Sequence, residues 1–277
     1  QIWDDPFLID GHGADGSYLS AGLVQGVTEF LPVSSSGHLA VVPWLFGWND
    51  FGGNNALENA FDVALHLGTL LGATIYLRSD IARYSKAAVT WISSREPLNG
   101  DSRIAVFLAL TVIPTGLIGA AAVSFTEDLG DRIWLVGGCL ILFGFVLWVT
   151  DQRKVTREVQ ELTLGHALVL GAVQGLAFQP GVSRSGVTIS AFRFLGISRV
   201  EAARLTFLMS LPVIAGAGIV KVFEVEIPSD WWLPFLLGMG AAALSIKTVI
   251  KNIDDFLLRP LGETLFAWNM QFNDSAP

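Results

Sequence analysis

Gln25-Gly-Val-Thr-Glu29-Phe-Leu-Pro32-Val-Ser34-Ser35-Ser36-Gly37-His38 places a carboxylate, three hydroxyls and an imidazole inside an otherwise apolar region. Polar groups in such surroundings are costly unless they have a partner or a task. The partner lies further along the chain. A shift of 149 positions lays 22–37 over 171–186 without a gap, and eight of the sixteen positions are identical: Gly22/Gly171, Val24/Val173, Gln25/Gln174, Gly26/Gly175, Val33/Val182, Ser34/Ser183, Ser36/Ser185 and Gly37/Gly186. Where the first copy has Glu29, Ser35 and His38, the second has Phe178, Arg184 and Val187. The copies therefore divide acid, hydroxyl and imidazole from guanidinium.

Outside the repeat the chain is strongly apolar. Of its 277 residues 52% are hydrophobic and 15% charged, with a mean hydropathy of +0.53. This is too apolar for an ordinary soluble domain and reads as one polytopic, all-α membrane domain. Apolar runs at 60–77, 104–125, 133–150, 205–223 and 231–250 each approach the ~20 residues that span a bilayer as helix. The two repeat-bearing stretches, 19–47 and 162–197, are interrupted at Leu31-Pro32 and Pro180-Gly181. The single cysteine, Cys139, excludes a disulfide framework and a thiolate metal site. The net charge of −8 matters less in a membrane protein than where the charges lie, and no nucleic acid is expected as a partner. Residues 1–18 are polar, carry four Asp and do not read as a cleavable signal peptide.

Positive charge clusters on one side of the expected membrane. Fourteen of the seventeen Lys and Arg fall in segments that the positive-inside rule assigns to the inner face, among them an expected loop after the 60–77 span that holds Arg78, Arg83, Lys86, Arg95 and Arg103; the others are Arg132, Arg184 and Lys221. The acidic 1–18 tail and the 48–58 segment then lie outside, so 19–47 enters and returns as a re-entrant helix-loop-helix. The second copy enters from the inside. This gives inverted-topology repeats, about 19–125 and 133–251, with two re-entrant elements and five to six spans, between a polar tail and a C-terminal tail or incomplete last helix at 252–277. Interrupted helices meeting near the midplane are a common way to hold a polar site in a membrane.

Helices beginning near Gly37 and Gly186 would aim unpaired N–H groups into the cavity, and Arg184 adds a permanent charge in a fork suited to phosphate. Glu29 would repel an anion unless it binds a divalent cation or acts as a base. Ser35 is the hydroxyl best placed to attack or bind phosphate, while His38 has the chemistry of a nucleophile or a proton donor to a leaving oxygen. Ser34, Ser36 and Ser183 suit helix caps. His66 lies four residues after Asp62 and reads as its structural hydrogen-bond partner; His12 and His166 have no constellation around them. Gly116/Gly119 and Gly216/Gly218 read as close-packing pairs.

The first motif, together with Pro180-Gly-Val-Ser183-Arg184-Ser185-Gly-Val-Thr188 and Phe61-Asp-Val-Ala-Leu-His66-Leu-Gly-Thr69, resembles the undecaprenyl-diphosphatase family associated with bacitracin resistance, and the likeness runs from about Leu19 to Lys251. The resemblance implies hydrolysis of undecaprenyl diphosphate to the monophosphate for reuse in cell-wall polymer synthesis, at a site open to the outer face of the cell membrane. It implies a divalent cation, magnesium or calcium, with Glu29 and Gln25 filling the family's Glu/Gln-x-x-x-Glu pair. Ser34, Ser35 and His38 match its catalytic loop, while Ser183, Arg184, Ser185 and Thr188 match its phosphate-binding loop. The implied partners are the polyprenyl diphosphate, the bilayer and, as one compatible assembly, a second copy. The rival reading is a lipid-phosphate flippase or anion carrier, which inverted repeats equally support.

Overall fold

A computed structural model describes residues 17–48, 51, 54–94, 97–130, 132–222 and 227–258. Among them are ten α-helices and no strand: α1 (Ser17–Thr28), α2 (Ser35–Phe46), α3 (Asn55–Tyr76), α4 (Arg78–Ser94), α5 (Gly100–Gly130), α6 (Ile133–Asp151), α7 (Leu164–Gly175), α8 (Arg184–Phe194), α9 (Arg199–Val222) and α10 (Trp232–Leu258). The five expected apolar runs fall, to within one residue at their ends and over the described residues, within α3, α5, α6, α9 and α10. Four of these are long and apolar enough to cross a membrane, and α3 with α4 makes a fifth candidate that bends by 76°. The readings of 1–16 and of 259–277 concern residues outside those described.

The repeat occupies short helices in both copies. α1, α2 and α7 have 12 residues each and α8 has 11, so each is about 18 Å long or slightly less, well short of a bilayer core of about 30 Å. Their chain breaks follow from backbone chemistry. Pro32 supplies no N–H, and Ser34 takes a positive φ of 67°, the one non-glycine residue to do so among those described. The second copy turns at Pro180-Gly181 instead, where Gly181 has φ 87° and a Cβ would stand 2.5 Å from the Val136 carbonyl oxygen.

Both copies dock in an equivalent way, each onto the last long helix of the other half. α1 packs along α10 and α7 along α5. The identical glycines explain the fit: a Cβ on Gly22 would lie 2.3 Å from the Gly238 carbonyl oxygen, and one on Gly171 would lie 2.2 Å from that of Thr111. α3 and α9, which follow the two copies in sequence, pack against one another. Phe30, beside Glu29, is fully buried and meets the Phe207 ring edge-on at 4.6 Å, fastening the first loop to α9.

Two expectations need correction. The charged stretch after α3 is not a plain loop but the helix α4, held by Asp80, which accepts from Arg204 Nε at 2.9 Å, and by Arg83, whose two nitrogens each donate to Asp101 at 2.6 Å. Of the four paired glycines, Gly119 and Gly218 make close contacts with Phe178 and Leu67, whereas Gly116 and Gly216 face open space. Pro114 and Pro212 lie inside α5 and α9, which continue through them.

Gly171→Ala should therefore lower stability by about 1–3 kcal/mol, as overpacking does, while Gly116→Ala leaves it unchanged or raised. Thermal melting of the two variants in one detergent checks this, and equal melting temperatures would contradict the docking described.

Candidate active site

The two chain breaks meet. Ser185 Oγ donates to the Leu31 carbonyl at 2.9 Å, tying the second loop to the first. Above this contact lies a cavity of about 250 Å³ lined by Glu29, Ser34, Ser35 and Ser36 from one copy, by Gln174, Ser183 and Arg184 from the other, and by His66 of α3. Thr115 is also in the lining, and the rest of the wall is apolar, with Val63, Phe178, Val213 and Ala217. A polar floor under an apolar wall suits a ligand with a charged head and a hydrocarbon tail.

Glu29 is the centre of the floor, with its side chain 2% exposed. The Arg184 guanidinium pairs with its Oε1. Oε2 accepts from Ser35 Oγ at 2.6 Å and from Gln25 Nε2 at 2.9 Å, and His66 Nε2 stands 3.5 Å away. Both ends of the carboxylate are thus satisfied, which a buried charge requires. The substitution of Phe178 for Glu29 in the second copy also has a structural reason, because Phe178 seats on Gly119 and closes the cavity wall.

Both helix starts point their first residues at this floor. Ser34 caps α2, its Oγ accepting from Gly37 N at 3.3 Å, and Ser183 caps α8, accepting from Gly186 N at 3.1 Å. Ser35 is then the first residue of α2 and Arg184 the first of α8. Their side chains share the cavity with the positive ends of two helix dipoles.

Not every candidate comes to the cavity. Thr188 is fully buried and donates to the Arg184 carbonyl at 2.8 Å, and Ser185 is spent on Leu31, so neither lines the cavity as a phosphate ligand would. His38 is half-buried, its Nδ1 lies 2.8 Å from the Ser34 carbonyl oxygen, and it does not line the cavity. His66, expected only as a structural partner, does. Its Nδ1 bonds the Asp62 backbone oxygen at 2.7 Å, which leaves Nε2 facing Glu29. The sequence signal for it was the i to i+4 spacing from Asp62, which sets the ring but says nothing of what the other nitrogen meets.

The cation expected on Glu29 and Gln25 does not find a ready-made site. Among the described residues no three His, Cys, Asp or Glu side chains converge to hold a metal ion. Glu29 is already neutralised by Arg184, and Gln25 turns its NH2 toward it. Gln25 Oε1 is buried without a donor among the described residues, but Gln25 does not line the cavity.

Comparison with known proteins agrees with the motifs. The family described as Bacitracin resistance protein BacA matches residues 18–268. An undecaprenyl-diphosphatase of Pelobacter propionicus is 41% identical over 232 residues, 82% of this chain and 83% of its own. That of Thermomicrobium roseum is 39% identical over 254 residues, covering 86% and 88%, and that of Geobacter sulfurreducens 41% over 258, covering 89% and 91%.

The buried pair generates a stability test. Arg184→Ala strands the Glu29 carboxylate and should cost about 3–5 kcal/mol, whereas adding Glu29→Gln should restore much of that loss. Denaturation of the three variants reads the coupling, and strict additivity would mean that the two groups do not interact.

Proposed function

The chain belongs to the bacitracin-resistance family of undecaprenyl-diphosphatases, and on that premise we propose that Glu29, Ser35 and Arg184 carry out its reaction. The enzyme hydrolyses undecaprenyl diphosphate to undecaprenyl phosphate and inorganic phosphate, so that the lipid carrier can be reused in cell-wall synthesis. The observation that supports the assignment is the 2.6 Å hydrogen bond from Ser35 to a buried carboxylate whose other oxygen holds Arg184.

In this reading the diphosphate competes with Glu29 for Arg184. The guanidinium fork takes phosphate oxygens, joined by N–H groups at the starts of α2 and α8. Glu29, relieved of its cation, becomes a stronger base toward the hydroxyl already hydrogen-bonded to it. Ser35 Oγ attacks the terminal phosphorus, its proton passes to Glu29, and the bridging P–O bond breaks to release the prenyl monophosphate. Water then hydrolyses phospho-Ser35. Magnesium or calcium, where required, would depend on the diphosphate's own oxygens, since the cavity lining among the described residues offers one carboxylate, already paired.

The charge pattern supports an opening toward the outer face, since α3, which carries His66, begins beside the acidic 48–58 segment. With Cys139 replaced by Ala, Ser36→Cys, exposed at the cavity, should react with a membrane-impermeant maleimide added outside intact cells. Labelling only after the membrane is opened would reverse the orientation.

The carrier reading is not favoured, because a carrier has no use for a hydroxyl aligned on a base. Purified protein given undecaprenyl diphosphate should release inorganic phosphate. Glu29→Gln and Arg184→Ala should each lower kcat about 10²- to 10⁴-fold, and Ser35→Ala should abolish the acid-quenched phosphoserine. Absence of phosphate release from folded, lipid-binding protein would remove the reading.

A further inference from the structure

Gln174 is the repeat counterpart of Gln25, yet it stands on the opposite side of the chemistry. It lines the cavity, is 1% exposed, and its Nε2 donates to Thr115 Oγ1 at 3.1 Å. The amide cannot be turned the other way. Thr115 has one hydroxyl proton, directed at the carbonyls of Gly171 at 2.7 Å and Thr111 at 2.8 Å, so its oxygen can only accept from Gln174. The Gln174 carbonyl oxygen is therefore left as an acceptor: it is buried beside the cavity that the residue lines, and it has no donor among the described residues. A buried acceptor without a partner is a standing cost of about 1–3 kcal/mol, and the guest of this cavity is the available source of the missing hydrogen.

An acceptor carbonyl repels the oxygens of a diphosphate, which carry no hydrogen when ionised. What suits it is an O–H. We propose that Gln174 is a catalytic residue that holds the hydrolytic water, with Thr115 as its positioning residue. The inference rests on the phosphoserine route proposed above. After the prenyl phosphate has left and Glu29 has given its first proton to the medium, a water must attack phospho-Ser35. Its oxygen bonds to phosphorus and the P–Oγ bond breaks. One water hydrogen goes through Glu29 to the departing Ser35 oxygen, and the other remains on the phosphate. That second hydrogen is the one the Gln174 carbonyl accepts. A glutamine that orients attacking water by this means is a general device of phosphoryl transfer.

Methanol distinguishes this role from a structural one, because it has a single hydroxyl hydrogen and needs no second acceptor. The enzyme is assayed with undecaprenyl diphosphate and added methanol, and phosphorus NMR gives the ratio of methyl phosphate to inorganic phosphate. Gln174→Leu should lower phosphate release about tenfold, the loss of one hydrogen bond, and raise that ratio by a similar factor while phospho-Ser35 accumulates. Thr115→Val, which keeps the side-chain volume, should shift the ratio in the same direction, and it provides the readout if the leucine variant does not fold. An unchanged ratio, whether turnover holds or both products fall together, overturns the assignment. Failure of the unmodified protein to release phosphate would instead overturn the reaction itself.

Discussion

A carboxylate and a guanidinium removed from water must find each other, and the architecture is arranged so that they can. Glu29 lies in the break between α1 and α2, and Arg184 opens α8 just after the break that follows α7, 155 residues away. Each ion alone would cost several kcal/mol to bury. The pair forms only if both breaks reach the same depth and face one another. α1 must then lie against α10 and α7 against α5, and the glycines at 22 and 171 permit those approaches.

The two copies could not have kept identical loops and still formed this site. Two glutamates or two arginines at the meeting point would repel each other in a medium that screens poorly. Division of the charges makes the contact attractive. It also leaves unlike neighbours around one carboxylate: a serine that can react, an arginine that can bind, a glutamine that fixes the geometry and a histidine at the edge. Several of the positions that stayed alike have structural work to do. Ser34 and Ser183 cap their helices, and Gly26 and Gly175 are crowded by Ser245 and Ile118.

This difference explains what was legible in the sequence. The spans at α3, α5, α6, α9 and α10 are long apolar runs, and a run of that length has few alternatives in a membrane protein. Glu29, Ser35 and Arg184 stood out because their polarity contradicts their surroundings, and the structure brings all three to one cavity. α4 escaped notice because its charges, read as loop solvation, are ion pairs with α5 and α9 that exist only in the packed structure. His38 and Thr188 have the right chemistry in the right motif. One turn of helix rotation directs His38 to the Ser34 carbonyl and Thr188 to that of Arg184, and a motif does not encode that rotation. His66 and Gln174 come from α3 and α7, outside the two serine-bearing loops, and neither departs from its repeat or its surroundings in a way that marks it.

With the roles proposed for Glu29 and Arg184, the resting ion pair also bears on turnover. Arg184 bound to Glu29 is not free for phosphate, so any anion entering the cavity must displace an existing partner. A diphosphate, with more charge than either product and two groups to spread across the helix starts, competes better than a monophosphate does. When the anhydride is cleaved, each product holds Arg184 less strongly, and Glu29 reclaims it once its proton has gone. The same contact that allows two charges to be buried in an apolar fold thus biases the site toward releasing what it makes, and a prenyl phosphate leaves along the apolar wall of Val63, Phe178 and Val213 without carrying the guanidinium's attention with it.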